Sequence, residues 1–248
     1  MKNGFKVLKK KIRLSSSKKI FVGLKKTIEF VENKKFNFKS WNDISLHNYL
    51  IRLRLKNKEK FSMIYGLMQQ NSVLNEFCIE NNFIGLSNNF LKNKEKNLTL
   101  RFQFRMDPPT DRNNLYGWHQ DSAYDNFNSK PSNGVILWVP LLDAHINAGA
   151  LEVKPGSQIE KNRFFVKNKM KKYLSPQLNV PKKYLKKYPT KIIPISKNSC
   201  LCMYANVFHK SGINQSKKVR FTIIARLNKL NSKDFYLYQK IKPYKNLH

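Results

Sequence analysis

Apolar and polar residues alternate along the stretch LTLRFQFRM, which begins at Leu98 and ends at Met106. Successive side chains of a β-strand point to opposite faces of a sheet, so this alternation predicts a strand with one apolar and one polar face. Further β-like runs cover residues 135–142, 150–153, 191–195, 200–204 and 219–227. Because turn residues punctuate these short runs, we predict a mainly β core built as a closed or sandwiched antiparallel sheet.

Residues 41–70 follow a different period. Apolar residues there recur every three or four positions, which is the spacing of one face of an α-helix. This period predicts two helices separated by a lysine-rich turn at 56–60, and a shorter helical piece at 72–84. His47 falls on the first helix, where we expect it to be solvated.

These patterns divide the chain into parts of one structural domain. We expect a basic N-terminal arm at 1–28, with an interfacial helix as the alternative, and a helical part at 29–97 that packs on the core. The β core spans 98–228 and contains a basic, proline-punctuated insertion at 159–190. Long insertions in compact domains tend to be functional lids or disordered. This one and the helices at 41–70 are candidates to close over a substrate. Residues 229–248 are expected to form a C-terminal tail.

The composition adds a strong positive charge. Lysine and arginine together number 48 against 15 acidic residues, which gives a formal net charge of +33. Such a charge is typical of proteins that bind nucleic acids or other polyanions. Lysine far outnumbers arginine, however, and arginine is the residue usually used for bidentate phosphate recognition. Two interpretations stay open, a solvated lysine-rich surface and a polyanionic partner.

The cysteines and the apolar runs bear on the compartment. Cys78, Cys200 and Cys202 lack the spacing of metal ligands, so we expect buried thiols in a reducing environment. No apolar run approaches the roughly 18 residues that a membrane span needs. We therefore expect a soluble, cytoplasmic protein, and the sequence leaves its oligomeric state open.

The stretch GWHQDSAY at 117–124 holds the strongest candidate chemistry. On an extended backbone residues i and i+2 point to the same side, so His119 and Asp121 can face one point. A third ligand could come from the distant His209. Two histidines and one carboxylate form the facial triad of non-haem Fe(II) oxygenases, which leaves coordination positions open. The alternative is a polar turn that happens to hold a histidine. His145 and the terminal His248 are expected on the surface.

Three blocks in order resemble the phytanoyl-CoA dioxygenase branch of the Fe(II)/2-oxoglutarate-dependent oxygenases. They are WHQD at 118–121, WVPLLDAHINAGALEVKPGSQ at 138–158 and HKSGINQSKKVRFTIIARL at 209–227. The second is similar to the family's Trp and Gly-x-Leu-x-x-x-Pro-Gly-Ser-His elements, although Gln158 stands where the family often has histidine. The third is similar to the family's His-x-Ser-x-x-Asn-x-Ser element followed by an arginine, here Arg220.

The resemblance implies a double-stranded β-helix (a cupin-like jelly roll) with flanking helices. It implies Fe(II) bound by His119, Asp121 and His209, with 2-oxoglutarate and O₂ as co-substrates. Arg220 would hold the distal carboxylate of 2-oxoglutarate, since a guanidinium presents a planar fork of donors. By the same alignment Gln120, Trp138 and Ser211 would line the co-substrate pocket.

The implied reaction is the oxidative decarboxylation of 2-oxoglutarate to succinate and CO₂, coupled to hydroxylation or a related C–H oxidation of a small-molecule or acyl-type substrate. A lysine-lined mouth would suit anionic, CoA-linked or carrier-linked substrates. Candidate substrate contacts are Arg105, Arg112, Tyr124 and Lys167. Two alternatives stay open, an oxygenase that acts on nucleic acid or another polyanion, and a non-catalytic binding module with the same fold.

Overall fold

The computed structural model describes residues 1–92, 94, 97–112, 115–124, 134–161, 165–167 and 177–229, without the side chains of 165–167 and 177. Its helices are α1 (Leu14–Glu32), α2 (Ile44–Lys56), α3 (Lys58–Gln69), α4 (Val73–Glu80), α5 (Phe83–Leu91) and the short α6 (Lys182–Leu185). Its strands are β1 (Phe5–Leu8), β2 (Leu98–Asp107), β3 (Gly134–Pro140), β4 (Leu151–Val153), β5 (Phe165–Lys167), β6 (Gln177–Asn179), β7 (Lys191–Ile193), β8 (Cys200–Tyr204), β9 (His209–Lys210) and β10 (Arg220–Lys229).

The strands form antiparallel sheets. The large sheet has the order β1-β8-β3-β10-β2, a smaller sheet has the order β7-β4-β9, and β5 pairs with β6. Apolar side chains of both larger sheets meet in one buried cluster, to which β3 contributes Trp138 and β4 contributes Leu151 and Val153. The two sheets therefore pack as a sandwich, and the sheet-rich core predicted from the sequence is confirmed.

The helices cover the other face of the large sheet. Phe221, Ile223 and Ala225 of β10 belong to a second buried cluster, which also contains Ile20 of α1 and Leu50 of α2. Their neighbours at even positions point into the sandwich, because side chains alternate along a strand. One strand thus connects the helical layer to the interior between the sheets.

Local sequence sets the helix boundaries. The predicted break between two helices lies at Asn57, whose side chain accepts a hydrogen bond from the backbone N–H of Lys60 and so caps α3. Asp43 caps α2 in the same way through the N–H of Ser45. The helices predicted within 41–70 are confirmed, and two helices, α4 and α5, occupy the region where a single shorter piece was predicted.

Residues 1–28, expected as a basic arm or an interfacial helix, form a strand and most of a helix that packs on the core. Residues 5–8 form β1, which pairs with β8 at the edge of the large sheet. Residues 14–32 form α1, whose Ile20, Leu24 and Ile28 are fully buried. Gln158 stands where the related family often has a histidine. Its Nε2 donates to the carbonyls of Met1 and Lys2 and so holds these two residues in place. The other boundaries proposed for the chain stay predictions, and residues 230–248 lie outside the described part.

His47 was also predicted wrongly. Its side chain is completely buried, with Nε2 2.8 Å from the carbonyl of Trp41 and Nδ1 accepting from the N–H of Val219 at 3.0 Å. Val219 directly precedes Arg220, so His47 joins α2 to the start of β10. The three cysteines are buried, as predicted. None of the described helices is long and apolar enough to cross a membrane.

Candidate metal centre

His119 and His209 are joined directly through their backbones. The N–H of each donates to the carbonyl of the other, at 2.9 and 3.0 Å, which forms an isolated antiparallel bridge. The ring centroids lie 4.1 Å apart. Two histidines separated by ninety positions in the chain are therefore brought side by side between the sheets.

Both imidazole rings are oriented by backbone carbonyls. Nδ1 of His119 lies 2.7 Å from the carbonyl of Gly117, and Nδ1 of His209 lies 2.9 Å from that of Val207. A carbonyl only accepts, so each Nδ1 carries the proton in a neutral ring and each Nε2 keeps its lone pair. This arrangement orients imidazoles for metal binding.

Asp121 completes the cluster. Its Oδ1 lies 3.5 Å from Nε2 of His119 and 3.9 Å from Nε2 of His209. One ligand atom from each of the three residues lies within 4.8 Å of the others, and all three side chains are buried. The candidate ligands predicted from separate stretches of the sequence are thus brought together.

Arg226 occupies the other side of Asp121. Its Nε donates to Oδ2 at 3.1 Å, and its Nη2 lies 3.4 Å from Oδ1. The Nη1 of the same guanidinium donates to Oε1 of Gln103 at 3.3 Å. Arg226 thus donates to both carboxylate oxygens, and Oδ1 is also the oxygen that lies nearest the two Nε2 atoms.

The ionisation of the cluster favours metal binding. Burial by itself would raise the pKa of Asp121, but the charge of Arg226 holds that pKa well below its usual range. Burial, reinforced by the neighbouring His119, lowers the pKa of His209 to about 4. At neutral pH the cluster therefore offers a carboxylate and a neutral His209 ring, which are the protonation states that bind a metal.

A cavity of about 300 Å³ opens onto the cluster. The polar face of β2 forms one wall with Arg101, Gln103 and Arg105, and β10 adds Arg220, Ile224 and Arg226. This volume is at the lower end of the range for small-molecule sites. The polar face predicted for β2 therefore lines a cavity.

Arg220 is held in place at the cavity wall. Its Nε and Nη2 donate to Oδ2 of Asp107 at 3.2 and 2.9 Å, and its Nη1 donates to the carbonyls of Gly149 and Gly212. Asp107 also pairs with Arg105 at 2.8 Å. The sequence predicted a guanidinium fork open to a ligand, whereas these contacts use four of its five N–H groups.

Gly149 makes room for this guanidinium, and Gly212 makes room for the backbone of residues 149 and 150. A Cβ on Gly149 would overlap Nη1 of Arg220, and a Cβ on Gly212 would overlap the carbonyl oxygen of Ala150. Gly149 also has φ of +80°, in the left-handed region that favours glycine. Gly149, in the GAL stretch at 149–151, therefore leaves the space in which the guanidinium of Arg220 lies.

The hydroxyl of Thr222 lies next to this space. Thr222 is fully buried, and its Oγ1 has no hydrogen-bond partner among the described residues. It lies two positions from both Arg220 and Ile224, so it shares their face of β10. A buried polar atom without a partner is costly, and Thr222 is not among the described residues that line the cavity.

The remaining predicted residues divide into two groups. Trp138, Ser211 and Tyr124 line the cavity, and so does Arg105. Gln120 does not, since its Nε2 donates to the carbonyl of Asn206 at 3.0 Å and ties the His119 turn to the segment before His209. Arg112 is exposed and is absent from the cavity lining among the described residues. The side chain of Lys167 lies outside the described part.

Sequence reasoning did not single out Asp107, Thr222 or Arg226. A usable signal existed for the last two, because even spacing from Arg220 places both on its face of the strand predicted at 219–227. Asp107 directly follows the alternating LTLRFQFRM stretch at the end of β2, and pairing of the two strands brings it opposite Arg220. That pairing could not be read from one sequence.

Two packed antiparallel sheets that enclose a cluster of two histidines and one carboxylate are the arrangement expected of a non-haem Fe(II) oxygenase. A sequence model of the phytanoyl-CoA dioxygenase (PhyH) family matches residues 17–222. The chain therefore belongs to the PhyH family. A search of curated proteins found no match.

Several solved structures have a similar fold. One is the epimerase SnoN in complex with Fe3+, alpha ketoglutarate and nogalamycin RO, which is 12% identical with a TM-score of 0.57, over 92% of this chain and 80% of that one. EvdO2 from Micromonospora carbonacea var. aurantiaca, complexed with 2-oxoglutarate, is 14% identical with a TM-score of 0.55, over 92% and 87%. AviO1 from Streptomyces viridochromogenes Tue57 is 18% identical with a TM-score of 0.55, over 93% and 92%. At these identities the likeness is one of fold.

Proposed function

We propose that this protein is an Fe(II)/2-oxoglutarate-dependent oxygenase that oxidises a C–H bond of a small-molecule or acyl-type substrate. The observation that carries the proposal is the orientation of His119, Asp121 and His209, since both Nε2 atoms face one oxygen of a carboxylate that is kept ionised. Membership of the PhyH family supports it. So does the presence of iron and alpha ketoglutarate in SnoN, which has a similar fold. The two packed sheets are then those of a double-stranded β-helix.

The donor set fits the metal. His119, Asp121 and His209 would bind Fe(II) on one side, and their two nitrogens and one oxygen match the ligand set of non-haem Fe(II) oxygenases. The carbonyls of Gly117 and Val207 would hold the two imidazoles in the binding tautomer. Arg226 would keep Asp121 ionised.

The cavity also fits 2-oxoglutarate. Arg220 would supply positive charge and its fifth N–H to the distal carboxylate. Trp138 and Ser211 would form further parts of the pocket wall. With Fe(II), 2-oxoglutarate and O₂ bound, the site supplies the oxidant for the substrate, as 2-oxoglutarate and O₂ yield succinate, CO₂ and one oxygen atom for the oxidised product.

The chain's own residues would orient the substrate and exclude water. Tyr124 lines the cavity, and its hydroxyl oxygen accepts from the N–H of Leu178 in β6 at 2.7 Å. The N–H of Val180 donates to the carbonyl of Trp118 at 2.7 Å, directly before His119. The end of the 159–190 insertion is therefore attached to the metal-binding segment, which supports its proposed role as a cover. A cytoplasmic location stays a prediction.

The test is succinate formation by protein reconstituted with Fe(II) without O₂ and then exposed to O₂ and 2-oxoglutarate. We expect succinate that requires both Fe(II) and O₂, together with a mass gain of one oxygen in a substrate from a metabolite library. His119→Ala should abolish both signals while circular dichroism shows a retained fold. Protein that binds Fe(II) yet yields no succinate with any library member would contradict the proposal and favour the non-catalytic module. If the protein binds nucleic acid and its affinity falls steeply as the salt concentration rises, the nucleic-acid alternative is favoured instead.

A further inference from the structure

The side chain of Gln69 makes three hydrogen bonds to backbone groups. Gln69 is the last residue of α3, and its side chain reaches the edge strand β2. Its Nε2 donates to the carbonyl of Phe104 at 2.7 Å and to that of Tyr65 at 3.0 Å, and its Oε1 accepts from the N–H of Phe104 at 2.9 Å. An adjacent antiparallel strand would bind both groups of one residue in this way. Gln69 therefore takes the place of a neighbouring strand at Phe104.

Gln69 also lines the cavity, but its amide has no donor left for a ligand there. A glutamine amide has two N–H groups, and the carbonyls of Phe104 and Tyr65 accept both of them. A substrate at this wall would have to break one of these bonds to gain a hydrogen bond from Gln69. The side chain is therefore placed to act on β2 rather than on a bound molecule.

Phe104 lies between two residues that serve the site. Side chains alternate along β2, so Phe104 points into the buried cluster shared with the helices, while Gln103 and Arg105 face the cavity. Oε1 of Gln103 accepts from Nη1 of Arg226 at 3.3 Å, and Nε of the same guanidinium donates to Asp121 at 3.1 Å. One chain of contacts thus runs from Gln103 to a candidate metal ligand.

A second chain of contacts runs from Arg105 to Arg220. Arg105 pairs with Asp107 at 2.8 Å, and Asp107 accepts from Nη2 of Arg220 at 2.9 Å. Both chains start at residues directly adjacent to Phe104. A shift of the β2 backbone at Phe104 would therefore reach the candidate metal ligand and also the arginine proposed to bind 2-oxoglutarate.

The position of β2 in its sheet makes such a shift possible. β2 is the last strand of the large sheet, and its ladder with β10 fixes its register from Leu98 to Asp107. The outer side of an edge strand presents unpaired N–H and C=O groups, so the strand can rotate about its single ladder and swing its cavity-facing side chains. We propose that Gln69 is a positioning residue, which holds the outer side of β2 and so fixes the contacts behind Asp121 and Arg220. This inference rests on the proposed function and adds a residue of the helical layer to its site.

The test replaces Gln69 by methionine, which keeps the length of the side chain and removes its hydrogen bonds. Calorimetric titration of Mn(II), and then of 2-oxoglutarate into the Mn(II)-loaded protein, gives two dissociation constants without O₂. We expect Gln69→Met to raise each of them about threefold to tenfold, the change that corresponds to the loss of one hydrogen bond. The matched control is Gln70→Met, which makes the same change at the adjacent, exposed glutamine and should keep both wild-type constants. Urea titrations show that each variant is folded under the conditions of the titration.

A double-mutant cycle distinguishes positioning from a general loosening of the fold. Gln103→Ala removes the side chain that leads to Arg226 and leaves the route through Arg105 in place. In that background, Gln69→Met should change the Mn(II) constant by less than about twofold, and it should still raise the 2-oxoglutarate constant. An equal effect of Gln69→Met on Mn(II) binding with and without Gln103 would overturn the proposal. Wild-type values of both constants in Gln69→Met would overturn it as well.

The same titrations separate the role of Gln69 from the proposed function. Wild-type protein that binds neither Mn(II) nor 2-oxoglutarate would remove the proposed function itself. Wild-type protein that binds both, with Gln69→Met indistinguishable from it, would remove only the positioning role.

Discussion

Arg226 and Asp121 form a buried ion pair in which Nε of Arg226 lies 3.1 Å from Oδ2 of Asp121 and the opposite oxygen faces two imidazoles. The carboxylate of Asp121 is thus approached by the guanidinium and by the two imidazoles. Arg226 donates to both oxygens, more closely to Oδ2, and Oδ1 also faces the two Nε2 atoms that would share a metal. Such a contact orients a ligand without touching the metal itself, so its loss should weaken metal binding while leaving the ligands in place.

Replacement of Arg226 by glutamine should therefore lower the affinity for Fe(II) or Mn(II) by about tenfold to a hundredfold, the usual effect of removing a contact behind a metal ligand. Arg226→Lys should recover part of it by restoring the charge. Calorimetric titration of Mn(II) into each variant measures this. Affinities equal to wild type in both variants would show that Asp121 is positioned by the backbone alone.

Loss of a clustered histidine and loss of the exposed His145 should have very different effects on metal binding. His119→Ala should abolish measurable Fe(II) binding and leave the circular dichroism spectrum unchanged, because the ring contributes a ligand while the bridge to His209 is made by the backbone. His145→Ala is the matched control, since His145 is an exposed histidine outside the cluster. Asp121→Asn is preferred to Asp121→Ala for the third ligand, because truncation leaves Arg226 buried beside an empty space. Iron retained by His119→Ala would refute the assignment.

Substitution of Gly149 tests whether the position of Arg220 matters for the binding of 2-oxoglutarate. A Cβ at Gly149 would overlap the guanidinium of Arg220, so Gly149→Ala should displace Arg220 and raise the dissociation constant for 2-oxoglutarate about tenfold or more, the loss expected for a charge-assisted hydrogen bond. The measurement is calorimetry with the metal-loaded protein. Gly66→Ala is the control, because nothing lies within 4 Å of the added atom. In the middle of α3 that change should instead stabilise the fold by about 0.5–1 kcal/mol. Equal 2-oxoglutarate affinity in both variants would mean that Arg220 does not contact the co-substrate.

Periodicity was sufficient to predict most of the strands and helices around this site. The alternation from Leu98 and the three-to-four spacing in 41–70 depend on local geometry alone, and both predictions match the described elements. The metal cluster was predictable for another reason, because His119 and Asp121 are close in sequence and the family motif supplies His209. Local spacing was thus enough to predict the strands and helices around the site, and spacing together with a motif was enough to predict the candidate metal ligands.

Contacts between distant segments were not predictable in the same way. The residues 1–28 read as an arm because lysines obscure the short apolar run that becomes β1 at the sheet edge. Gln120 sits between two ligands in sequence, yet the turn that follows sends its side chain to Asn206. The polar face of β2 gave no sign that it would enclose a cavity, because solvent and a polar cavity select the same residue types.

His47 provides a pH test of the fold. Burial lowers the pKa of His47 from 6.5 to about 4, against the opposing hydrogen bond to Trp41. An unfolded chain takes up this proton near pH 6.5, whereas the folded chain resists it until about pH 4. The stabilisation is therefore complete above the unfolded value and is lost as the pH falls from about 6.5 to 4.

In metal-free protein, the free energy of unfolding should thus decrease across that window. His209 has a pKa lowered to about the same value, so it adds to the slope in every variant that retains it. His47→Gln should be less stable than wild type at pH 7, because the contacts to Trp41 and Val219 are weakened, and its pH dependence should be shallower by at most about 1.4 kcal/mol per pH unit, the slope for one proton. Urea titrations at several pH values give these slopes. Exposed His145→Gln should keep the wild-type slope. A His47→Gln slope equal to the wild-type slope would mean that folding does not lower the pKa of His47.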